Sequence, residues 1–170
     1  MNKNNFVVHG CFKLRAFDRK TGKLLWESKL ENKYTDEGLD YILEVIFKGG
    51  TRYDPLYIGL LGSDATDPHD WKMSNNGSVW TEVTAYDETA RQEFIDGSIS
   101  GHKINNAENQ ATFNINGSVI VWGAFLTTNN TKGGDTGILL CASNFEEGQK
   151  NLDNGAVLKI TYEVGAQNPS

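Results

Sequence analysis

Ala111-Thr112-Phe113-Asn114-Ile115-Asn116-Gly117-Ser118-Val119-Ile120-Val121-Trp122-Gly123-Ala124-Phe125-Leu126 is the stretch whose reading decides the fold. Ala111, Phe113 and Ile115 alternate with polar residues, the period of a half-buried strand. Asn116-Gly117 follows, the strongest short-range hairpin signal, so Val119–Leu126 is expected to return against Ala111–Ile115. That return strand is apolar on both faces. One face must meet a core, and the other needs a second cover, from this chain or from a neighbouring subunit.

The pattern repeats on either side. Phe12, Leu14 and Ala16 face one way and Lys13 and Arg15 the other; beyond the turn-rich Asp18–Lys23, Leu24, Trp26, Ser28 and Leu30 alternate again, which predicts a β-hairpin. Leu56–Leu61 is short and almost wholly apolar, the signature of a buried central strand. Val79–Thr84, Gly137–Ala142 and Leu158–Val164 read as further strands, with Phe94-Ile95 a short one. One helix interrupts the series at about 36–48. Thr35 or Asp36 caps it, and Leu39, Ile42, Leu43, Ile46 and Phe47 recur at helical spacing. Lys48-Gly49-Gly50 ends it. Its continuous apolar face is expected to pack onto the sheet beside it. The reading is therefore mainly β with one short α-helix, a β-sandwich or jelly-roll-like single domain over 10–166. An N-terminal arm over 1–9 and a loose tail over 167–170 flank it.

The 170 residues carry 16 basic and 22 acidic side chains, and this acidic balance without a basic cluster argues against nucleic acid as partner. No apolar run is long enough to span a membrane, and Met1–Phe6 lacks the core of a secretory signal, so synthesis in the cytosol is expected. Cys11 and Cys141 match no metal or redox spacing and read as small hydrophobes. Zinc-ligand, nucleophile-elbow and phosphate-loop motifs do not occur, so no cofactor is expected. Asp64, Asp67 and Asp70, spaced by three in the long loop 62–77, are weak metal candidates against an Asx-turn reading in which they cap backbone groups and face water. Glu82, Asp87 and Glu88 could flank a hydrolase groove, although strand alternation places such charges outward. Trp71 is the best candidate for an exposed, glycan-stacking aromatic, whereas Trp26, Trp80 and Trp122 lie in strand-like runs.

The order of these segments resembles a family of small virion structural proteins of tailed bacteriophages, over approximately residues 10–165. The resemblance is carried by Asp18–Leu30 with its Lys-Thr-Gly-Lys turn, Glu37-Gly38-Leu39, Phe47-Lys48-Gly49-Gly50, Leu56–Leu61 and Val79–Val83 with Tyr86 and Arg91. Ala111-Thr112-Phe113, Gly123–Leu126, Gly137-Ile138-Leu139 and Leu158–Tyr162 complete it. Val79 stands where the family pattern has Gly, and Gly155-Ala156 where it has Gly-Asp. The resemblance implies a non-enzymatic β-sandwich building block of the particle. The expected role is a capsid decoration (cement) protein bound to the major capsid protein on the outer head surface. A tail, fibre or head-fibre component, including a glycan-binding receptor module, is the alternative. Partners are then the major capsid protein, copies of this chain, or both. Phe6, Val7 and Val8 of the arm, with Trp71 and Trp122, are the expected interface residues.

Overall fold

The structure is a computed structural model that describes residues 7–167. Alternation along the first apolar run produces β1 (Val7–Asp18), with Phe12, Leu14 and Ala16 fully buried on one face. Gly22, at φ 68°, takes the left-handed conformation that the following turn requires. β2 (Leu24–Glu31) returns antiparallel, pairing Phe12 with Leu30 and Leu14 with Ser28, so the first hairpin forms as expected. The other edge of β1 is taken by β12 (Ala156–Gln167) along its whole length, from Val7–Gln167 to Asp18–Ala156. Val7 and Val8, expected in the arm, therefore open a strand, and Gln167, expected in the tail, closes one. Phe6 lies outside the described residues.

The second sheet runs β3 (Lys33–Tyr34), β10 (Leu139–Asn144), β9 (Gly123–Thr127), β4 (Tyr57–Leu61), β5 (Gln92–Glu93). Its central strand pair, β4 and β9, is antiparallel, with Ile58 opposite Leu126 and Leu60 opposite Ala124. These four side chains and Cys141 meet Phe12, Leu14, Leu158, Ile160 and Tyr162 from the first sheet in one buried cluster. The protein is thus mainly β, with two antiparallel sheets facing each other across a core, a β-sandwich-like fold.

The Asn116-Gly117 hairpin does not form. β7 (Ala111–Asn114) pairs with β12 in the first sheet, beside β6 (Lys103–Asn105) on the same edge. Val119–Leu126 breaks at Trp122: β8 (Val119–Val121) pairs with β11 (Lys150–Leu152), and β9 enters the second sheet. Ile115–Ser118 thus carries the chain from the first sheet into a separate two-stranded ladder of β8 and β11, and Gly117 is absent from the positive-φ positions that a type I′ turn demands. β7 and β8 each pair instead with a strand from a distant segment, β12 and β11.

Val79–Thr84 is not a strand either, and touches its neighbours through single bridges such as Leu61–Glu82. It belongs to a long connection over 62–91, part of which covers the outer face of the second sheet while Val83 and Tyr86 join the main core. Trp71, Met73 and Trp80 from that connection bury Leu61, Phe125, Leu139 and Ala142 in a second cluster. Trp71 stacks on Trp80 at 5.7 Å between ring centres, and Trp80 meets Phe125 edge-on at 5.1 Å. Phe125 finds room because Gly59 lies opposite it; a Cβ there would come within 2.2 Å of the ring. β9 is therefore covered on both faces from within this chain, while Ile120 of β8 remains 47% exposed.

Candidate docking surface

The helix α1 (Asp36–Phe47) forms where expected, and its first turn is firmly tied down. Thr35 is the N-cap, its hydroxyl accepting from Gly38 N at 3.0 Å while donating to the carbonyl of Leu139. The Glu37 carboxylate accepts from Leu139 N at 2.8 Å and Met73 N at 3.1 Å. Gly38 is the helix's buried residue because it lies against the backbone of β10, where a Cβ would approach Leu140 O to 2.1 Å.

Beyond that turn the packing loosens. Tyr41, Ile42 and Val45 are half-buried over an open apolar cleft of about 320 Å³, whose other wall includes Val8, Leu56, Phe94 and Val164. The expectation that the whole apolar face packs onto the sheet is not met. Leu39, Leu43, Ile46 and Phe47 are 44%, 53%, 60% and 76% exposed. Their spacing of four, three and one places them on one outward stripe, whose Ile46 also borders the cleft and joins the two apolar surfaces. Seven of the helix's twelve residues are apolar or aromatic, more than a single face holds. That excess is the sequence signal for an uncovered stripe.

Asp36, Asp40 and Glu44 line the flank of this stripe and are exposed. Glu44 pairs with Lys48 at 2.8 Å, an exposed contact. At the helix N-terminus Asp36, Glu37, Asp40 and Asp70 surround a hollow together with Lys72. Three exposed carboxylates, Asp36, Asp40 and Glu44, against the one cation Lys48 give residues 36–48 a negative face.

The candidate site residues fall elsewhere or are otherwise engaged. Val8 lines the cleft beside α1, and Val7 is 37% exposed at the same end of β1. Trp71 is not an exposed platform: its ring is buried against Trp80, because the outer face of the second sheet needs that cover. Trp122 is half-buried at the rim of the same cluster. Asp64, Asp67 and Asp70 do not converge. Asp64 accepts from Thr66 Oγ1 at 2.6 Å and from the Asn144 amide, Asp67 lies 3.0 Å from His69 Nδ1, and no metal-holding group of acidic, His or Cys side chains occurs among the described residues.

The three carboxylates considered for a hydrolase groove have separate partners. Asp87 pairs with Arg19 on the surface at 3.2 Å, and Glu88 accepts from the backbone and side-chain amides of Asn114. Glu82 points inward, against expectation. Its carboxylate takes Arg91 Nε at 3.0 Å and Nη2 at 2.8 Å, and both side chains are essentially inaccessible to water. Arg91 donates further to Asn129 O at 2.9 Å and Gly134 O at 2.7 Å, and Gly133 N donates to Glu82 at 2.8 Å. This network fastens the outer connection to the loop after β9.

In the main core, Tyr162 Oη receives a hydrogen bond from Asn32 Nδ2 at 2.9 Å and lies 3.4 Å from Tyr34 Oη and 3.6 Å from Cys141 Sγ. Burial pushes the Cys141 thiol up to about 11 and the Tyr34 phenol up to about 12, and holds Tyr162 well above its ordinary range. The thiol is a neutral packing group at physiological pH. Cys11 and Cys141 are both free thiols.

No protein-family model matches this chain, and no curated protein does either.

Proposed function

We propose that this chain is a non-enzymatic virion structural protein of a tailed phage, a decoration protein that binds the major capsid protein on the outer head surface. The observation that carries this reading is the uncovered apolar stripe on α1, held on a rigid two-sheet body. Exposed apolar patches of this kind mark surfaces that another molecule covers. The family resemblance over 10–165 supplies the kind of assembly. On an ordered array, copies would gain from effective concentration, so a modest contact through this stripe is sufficient for the role.

The test is to fractionate purified virions into heads and tails and to quantify this chain in each by mass spectrometry. Heads carrying it, and heads stripped of it that regain it when the purified chain is added back, are the expected results. Its recovery only with tails overturns the head-surface assignment, and its absence from particles overturns the virion role.

A further inference from the structure

We propose that α1 is the docking element of this protein and that it seats in an apolar groove rimmed by lysine or arginine on a partner protein. The inference deepens the decoration reading and takes from it the expectation that the partner is another protein of the particle. Its physical basis is the combination of two stripes on one helix. Leu39, Leu43, Ile46 and Phe47 offer anchors at the spacing with which an amphipathic helix fills a groove. Asp36, Asp40 and Glu44 border them, and Asp70 extends the acidic rim past the helix N-terminus.

Charge decides what fits. A second copy of this chain would bring two such acidic faces together, and like charges flanking an apolar contact suppress pairing. An anionic membrane surface repels the same rim; interfacial helices that bind such membranes carry lysine and arginine on their polar face. A groove with a basic rim satisfies both stripes at once. The Lys48–Glu44 pair, being exposed, is readily exchanged for a partner's cation. The helix is also well placed to present its outer stripe, because Thr35, Glu37 and Gly38 clamp its first turn to β10 while the stripe itself makes no such contact.

Two synthetic probes test this: an amphipathic helical peptide of leucine and lysine, and its leucine–glutamate counterpart. Fluorescence anisotropy with the intact protein is expected to show the lysine peptide binding at least about tenfold more tightly than the glutamate peptide, with an affinity that falls as salt rises. Leu43→Ser with Phe47→Ser is expected to weaken that binding about tenfold, since truncating central anchors removes most of the energy of a small interface. Asp40→Lys with Glu44→Lys is expected to reverse the preference. All four positions are exposed, and unchanged circular dichroism verifies folding of each variant. Equal binding of the two peptides, or full binding by the stripe variant, overturns the proposal. So does self-association of the wild-type chain in sedimentation velocity that the stripe variant abolishes. On stripped particles the two readings separate. Particle binding that survives Leu43→Ser with Phe47→Ser overturns the docking role of α1 alone; peptide discrimination without particle binding overturns the decoration reading alone.

Discussion

Arg91 and Glu82 form the most demanding contact in the molecule, because both charges are out of water and each depends on the other. Arg91→Met leaves the Glu82 carboxylate buried without its cation, and the expected loss of stability is about 3–5 kcal/mol by urea denaturation. Adding Glu82→Leu removes the orphaned charge, so the double variant is expected to be more stable than Arg91→Met. A double variant less stable than the single would show that the hydrogen bonds Glu82 accepts from Gly133 N and Asn76 Nδ2 outweigh the cost of its unpaired charge. Gly38 supplies a second residue-level prediction, with a sign opposite to helix propensity. Alanine at an exposed helix position is favoured over glycine by about 1 kcal/mol. At Gly38 the added methyl would press on the Leu140 carbonyl, so Gly38→Ala is expected to lower the melting temperature by several degrees. Neither role was legible in the sequence. Glu82 reads as a charge turned outward by default, and Gly38 reads as an ordinary weak point in a helix; only a distant segment, 129–134 in one case and β10 in the other, reveals what each one does.

At the scale of elements, α1 shows both the strength and the reach of local patterning. Its limits, its Thr35 cap and its stop at Lys48-Gly49 follow from short-range chemistry and are where the spacing places them. Thr35→Val is expected to cost about 1–2 kcal/mol, removing the bond to Gly38 N and leaving the Leu139 carbonyl short of a donor; thermal melts of the variant measure it. Which of the apolar residues meet the sandwich is a different matter. Gly38 fixes the rotation of the helix against β10, and that rotation turns Ile42 and Val45 toward the cleft while Leu39, Leu43 and Phe47 point away. The strands divide in the same way. β1, β2 and β4 form where period and turn residues place them. The Asn116-Gly117 signal fails because β12 is long enough to pair with β1 on one edge and with both β6 and β7 on the other. Turn propensity worth a fraction of a kcal/mol yields to a twelve-residue strand that organises the whole first sheet.

For the whole molecule, the buried Tyr162–Cys141–Tyr34 group links stability to alkaline pH. Each group is neutral when protonated, and burial raises its folded value: Cys141 to about 11 from an ordinary 9.0, Tyr34 to about 12 from an ordinary 10.0. Above pH 9 the unfolded chain therefore loses protons that the folded one retains, so it binds fewer protons and stability falls as pH rises. The contribution is complete below pH 9 and is lost through about pH 11–12. Urea titrations at successive pH values are expected to show a midpoint that declines across that window, with Cys141→Ala removing part of the slope. Alkylation of the native protein at pH 8 is expected to modify the half-buried Cys11 before Cys141, which reacts only on unfolding, as mass spectrometry of the labelled peptides will show.

Period-two alternation, one capped helix and closely spaced turns were sufficient for the sequence alone to determine a mainly β sandwich with a single helix, because those signals act between residues a few positions apart. The sequence also determined that Val119–Leu126 needs cover on both faces. Only the tertiary structure decided that Trp71, Met73 and Trp80 of the same chain cover its β9 part while Ile120 stays exposed, that Glu82 turns inward to Arg91, and that one stripe of α1 stays uncovered. Each of these depends on which distant segment arrives to compete for the same apolar face or the same unpaired backbone, and that competition is settled by packing across the whole chain.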